Sequence, residues 1–185
     1  MNTRFVLSAA GVSAAAIGGA ATADITANIT ATSLLGGEYT TVSLGSVSGS
    51  ITSIGYRYVW ENNTGDSSWG SDMIFGASDG FNGVSIGGYN GYLSSIVGGS
   101  SSMWTFGGAI NGAPTDGSYS GLNVLGSAVA LSGDAQAIMA NGWLTSAGTT
   151  TSLEVTFYGL NAVPAPGALA LLGLAGLAGG TRRRK

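Results

Sequence analysis

The chain is expected to form an all-β protein, an antiparallel β-sandwich of jelly-roll-like kind. Three observations lead to that expectation. Apolar residues recur with period two in short runs that Gly, Asn and Asp interrupt. No long helical period occurs before residue 163. Four Trp and seven Tyr stand mostly among β-branched residues, an aromatic content that disordered low-charge chains lack. Short strands at regular spacing with glycine-rich turns suit a sandwich.

Each element has its own signal. Ile25, Ala27, Ile29 and Ala31 alternate with Thr26, Asn28, Thr30 and Thr32, as in a half-buried strand. A second strand, 39–44, follows Gly36-Gly37. The strongest strand is 51–60: Ile54, Tyr56, Tyr58 and Trp60 fall on one face, and Ser53, Gly55, Arg57 and Val59 on the other. Glu61-Asn62-Asn63-Thr64-Gly65-Asp66 has the chemistry of a turn. Strands 69–77 and 84–88 follow, and Asn90-Gly91 predicts a hairpin turn into a strand over 92–97. Strands over 103–110, 122–131, 135–144 and 151–160 complete the series. For 122–139 a helix is the alternative, since Ala, Val and Leu suit both, but Gly126 and Gly133 interrupt it.

Both ends have the composition of processing segments. Residues 1–23 predict a signal peptide with a helical apolar stretch: Arg4 is the positive flank, 5–17 are small and apolar, and Ala21-Thr22-Ala23 is a small-x-small site for signal peptidase. The run is too short and Ala/Gly-rich for a permanent span. Residues 163–185 open with Val163-Pro164-Ala165-Pro166, continue through an apolar run over 168–180 and end in Arg182, Arg183, Arg184 and Lys185. That run is a short hydrophobic helix of roughly 20 Å at ~1.5 Å per residue, below the ~20 residues of a comfortable span. The arginines would be held on the cytoplasmic side. The expected folding domain is therefore 24–162.

All nine acids lie between Asp24 and Glu154, whereas Arg57 is the only basic residue of the body. Such a surface repels phosphate backbones, so no nucleic-acid partner is expected. With no Cys and no His in the chain, disulfides, thiolate chemistry and histidine bases are excluded. Gly76-Ala77-Ser78-Asp79-Gly80 and Gly83-Val84-Ser85-Ile86-Gly87 both match G-x-S-x-G, but a nucleophile elbow needs a histidine partner. No carboxylate pair has a glycosidase-like spacing, so no catalytic residue is assigned and no enzyme is expected. No cofactor is required. If a cation binds, it is Ca²⁺, and Asp66, Asp72 and Asp79 are the first candidates, although their spacing matches no EF-hand. Trp60, Trp69, Tyr89, Tyr92, Trp104 and Trp143 could stack on sugar rings; Trp69, Tyr89 and Tyr92 lie nearest turns and are the preferred ligand contacts.

The closing segment resembles the PEP-CTERM sorting signal of Gram-negative bacteria, in which a Val-Pro-Glu-Pro motif precedes a short apolar helix and terminal arginines. Val163, Pro164, Ala165 and Pro166 stand for the motif, with Ala165 in place of Glu, and Arg182, Arg183 and Arg184 for the basic end. The resemblance covers about 23 residues and implies an exosortase partner, transient holding in the inner membrane, and export to the cell surface or extracellular matrix. It also implies a setting rich in exopolysaccharide or biofilm. The expected role is structural or adhesive; the alternative is a lectin-like carbohydrate-binding module that calcium could assist.

Overall fold

A computed structural model describes residues 12–13, 24–62, 70–88, 92–110, 116–142 and 149–164. The described strands form one mixed sheet. They are β1 (Val12–Ser13), β2 (Ile25–Leu34), β3 (Tyr39–Asn62), β4 (Met73–Ser78), β5 (Gly83–Gly87), β6 (Trp104–Gly108), β7 (Gly117–Asn141) and β8 (Thr149–Ala162). Their order is β1-β2-β8-β3-β7-β4-β5-β6. The all-β expectation holds, and 122–139 is strand.

Two expected strand pairs are in fact single long strands. Strand β3 runs through 24 residues and β7 through 25. One breaker, Gly45, sits at a bulge, where the register slips between Ser43 and Gly45; at Ile51/Ser53 the partner jumps from Val129 to Val124, and the ladder resumes each time. A bulge adds a residue to one strand and bends it without ending it.

The bend is large. Tyr58 lies opposite Tyr119, and Phe75 lies opposite Met139, both on β7. Twenty residues of straight strand would separate those positions by about 65 Å at ~3.3 Å per residue. Yet the Tyr58 and Phe75 rings are 5.9 Å apart. The sheet therefore doubles over. The fold line runs where β7 pairs Val129 with Ile51 and then Val124 with Ser53, and where β8 pairs Leu160 with Gly49 and then Tyr158 with Ser53. There the backbones of Gly49 and Gly159 touch: a Cβ on Gly49 would strike the Gly159 carbonyl, and both residues have positive φ.

The doubled sheet encloses one main core. Ile54, Tyr58 and Trp60 are fully buried and half-buried Tyr56 packs against them, as their spacing predicts. Ile25, Ala27, Ile29 and Ala31 of β2 lie in the same core as Met73, Phe75 and Ala77 of β4. Tyr58 stacks on Tyr119 at 4.9 Å and donates its O–H to the buried Gly70 carbonyl at 2.9 Å.

The structure corrects two expectations. The sheet is not wholly antiparallel, since β5 and β6 run parallel. A parallel pair needs a crossover, and the segment expected as a strand over 92–97 supplies it as helix α1 (Tyr92–Val97). Its Ile96 and Val97 pack on a small second core of Ile74, Ile138 and Ala140. Gly98 donates its N–H to the Ser94 carbonyl at 3.0 Å and turns left-handed, closing the helix. In the predicted leader only Val12 and Ser13 are described; these two are extended and pair antiparallel with β2. The rest of the leader, and residues 165–185 with the expected tail helix, lie outside the described residues. Among the described residues no helix is long and apolar enough to cross a membrane.

Candidate functional site

The crossover creates a surface cleft. Strand β5 leads through α1 and the short 3-10 turn Ser101–Met103 into β6, which brings Val97, Met103 and Trp104 beside the half of β7 that carries Asp134, Gln136 and Ile138. The β4–β5 turn, with Ser78, Asp79 and Gly80, closes the third side. The cleft encloses about 350 Å³, at the small end of ligand-binding pockets.

Trp104 is its aromatic wall. The indole packs against the second core and donates from Nε1 to the Gly98 carbonyl at 3.3 Å. It lies over Gly83, where a Cβ would stand 2.6 Å from Cε3. The second G-x-S-x-G match is thus strand β5, with Gly83 leaving room for Trp104. The first match is a hairpin. Ser78 donates its hydroxyl to the Asn82 carbonyl at 2.9 Å and accepts from the Gly80 N–H at 3.0 Å. Both matches are structural.

Asp79 holds the turn together. Its Oδ1 accepts from the N–H groups of Phe81 at 2.9 Å and Asn82 at 2.7 Å, and Oδ2 accepts from Ser132 on β7 at 2.9 Å. Partial burial pushes this carboxyl up, but the donors of Asn82, Ser132 and Phe81 outweigh it and hold it below the ordinary carboxylate value. A depressed carboxyl contributes stability above its unfolded pKa and loses it as pH falls through the lower folded value. Asp79→Asn is therefore expected to cost about 1 kcal/mol at neutral pH. That gap should shrink below the ordinary value of 3.8. Urea midpoints of both proteins, compared at about pH 6 and about pH 2, check it; a gap that does not change with pH would refute the role given to the charge.

The other carboxylate of the cleft, Asp134, accepts from the Ser46 hydroxyl at 3.0 Å, and Gln136 is exposed beside it. A partly buried indole with an amide and a carboxylate within one cleft can hold a polyhydroxyl ring, stacked on its C–H face and hydrogen-bonded at its rim.

The sequence-predicted residues are not gathered here. Asp79 lines the cleft, but Asp72 is buried at the opposite end of β4, about 23 Å away along an extended strand at ~3.3 Å per residue. These two cannot share one cation. Among the described residues no three acidic groups cluster as a metal site. Asp66, Trp69, Tyr89, Trp143, Ala21 and Ala23 lie outside the described residues, and Tyr92 opens α1. Asp134 and Gln136 were not singled out from the sequence, because only the crossover brings them to Trp104.

No family model, curated protein or solved structure matches the chain.

Proposed function

We propose that this is an exported protein of the cell surface or extracellular matrix, sorted by its closing segment and structural or adhesive in role. One observation carries the reading. The Val163 N–H donates to the Ser46 carbonyl at 2.8 Å, beyond the last residue of β8. Pro164 follows, which has no N–H to donate. The main-chain bonding of the body thus reaches Val163, the first residue of the Val-Pro-Ala-Pro motif. At the other end, Ile25 opens β2 two residues after the predicted cleavage site, and Asp24 accepts from the Gly159 N–H at 3.2 Å. Exosortase and signal peptidase are the processing partners of this reading, exopolysaccharide its surroundings, and no catalysis is assigned. The doubled sheet suits it as a sandwich whose two layers are halves of the same strands.

The full chain expressed in hosts with and without an exosortase tests this. Intact mass of the exported product is expected to lack residues 1–23 in both, and to lose the tail only where the exosortase is present. An identical product from both hosts would sink the sorting reading.

The Trp104 cleft favours a second reading, a carbohydrate-binding module. Binding on a glycan array should then fall at least tenfold with Trp104→Ala. Silence across all glycans would dispose of it.

A further inference from the structure

We propose that, once residues 1–23 are removed, two copies of this chain join edge to edge through β2 into one continuous sheet about a two-fold axis. The proposal rests on the leader cleavage of the export reading. Strand β2 has 10 residues and pairs with β8 along one side. On its other side, among the described residues, it meets only the two-residue β1, which pairs Val12 with Ala27 and Ser13 with Thr26. Strand β1 lies inside the predicted leader. Cleavage after Ala23 therefore removes the one described strand that pairs with this edge of β2, at Thr26 and Ala27.

Soluble proteins guard such an edge with Lys, Pro, inward-pointing charge or brevity. Residues 25–34 contain no charged residue and no Pro. The opposite end of the sheet is guarded by brevity, because β6 has 5 residues and slips register against β5.

The occupant is argued from self-complementarity. A two-fold axis perpendicular to the sheet sets two β2 strands antiparallel, the direction β1 already takes on this edge. Side chains alternate with period two, so outward residues then meet outward ones. The buried row of Ile25, Ala27, Ile29 and Ala31 continues into its counterpart. The outward row of Thr26, Asn28 and Thr30 does the same. Thr26 already makes such a contact inside one copy, with its hydroxyl 2.9 Å from that of Thr156 across the β2–β8 ladder. No like charges face each other at the junction, and the symmetric contact uses each edge once, so it closes at two copies.

The test uses the full chain, kept dispersed in mild detergent, with a specific protease site between Ala23 and Asp24. Molar mass is measured by light scattering before and after cleavage. The wild-type mass per particle is expected to double on cleavage. Asn28→Lys places a charge on the edge and is expected to stay monomeric. Ser120→Lys puts the same charge on the outward side of interior strand β7 and should double like the wild type. Circular dichroism melting establishes that each variant is folded, and Thr30→Lys replaces Asn28→Lys if the latter is not. An unchanged wild-type mass, or doubling of the folded edge variant, would overturn the proposal. Association through the tail would appear before cleavage and survive the edge charge, which also overturns it. Should the exported protein retain residues 1–23, the export reading falls, while the engineered cleavage still decides the pairing.

Discussion

Gly76→Ala is expected to cost about 3 kcal/mol or more, the upper range for overpacking a site that cannot relax. Gly76 sits in mid-β4 opposite Ser85 of β5. A Cβ there would fall inside the Val84 main-chain carbonyl, with the Ser85 Cα 3.0 Å away. Both obstacles are backbone, so no rotamer change relieves them. The flanking Phe75 and Ala77 are fully buried and the ladder continues on both sides, which keeps β4 from swinging away. Gly126→Ala is the control: nothing lies within 4 Å of its Cβ position, and the expected change is within about 0.5 kcal/mol. Urea unfolding of the two variants beside the wild type checks this. Equal midpoints would mean that β4 and β5 do not approach so closely.

The next largest effect is expected at Tyr58, which ties the two halves of the doubled sheet together. Tyr58→Ala removes a fully buried ring that stacks on Tyr119 and meets Phe75 and Tyr56. The loss should be about 3–5 kcal/mol, as for other buried aromatics cut to alanine. Tyr58→Phe keeps the ring and removes only the donor to the Gly70 carbonyl, at about 1–2 kcal/mol. The pair of variants separates packing from hydrogen bonding. Burial, then the neighbouring Tyr119, Tyr56 and Asp72, push the phenol well above its ordinary value of 10.0. A raised group contributes stability that is intact below its unfolded pKa and lost as pH rises beyond it. The wild type should therefore lose stability above about pH 10 more steeply than Tyr58→Phe. Denaturant midpoints across that range test it, and parallel curves would exclude a buried phenol.

Much of the body was legible because strands advertise themselves locally. The inward row of Ile54, Tyr56, Tyr58 and Trp60 follows from period two alone, and burial bears it out. Two features were not legible. Gly45, Gly49 and Gly133 read as strand ends, but here they are positive-φ positions inside β3 and β7. A glycine signals freedom at one residue and does not say whether the ladder resumes after it. Residues 92–97 carry Tyr, Ile and Val, which favour strand, but packing of Ile96 and Val97 on Ile74 and Ile138 made them a helix.

The order of residues by itself determined the all-β class, the inward faces of the strands and the acidic, Cys-free and His-free chemistry. Only the tertiary structure decided that the sheet is single and doubled over, that β5 and β6 run parallel, and that Asp72 and Asp79 lie at opposite ends of one strand. It also brought Trp104 together with Asp134 and Gln136. The division has a physical cause. Face alternation and turn preference are set by neighbours in the chain, whereas bends, crossovers and clefts depend on contacts between residues far apart in sequence, whose closure the local pattern does not encode.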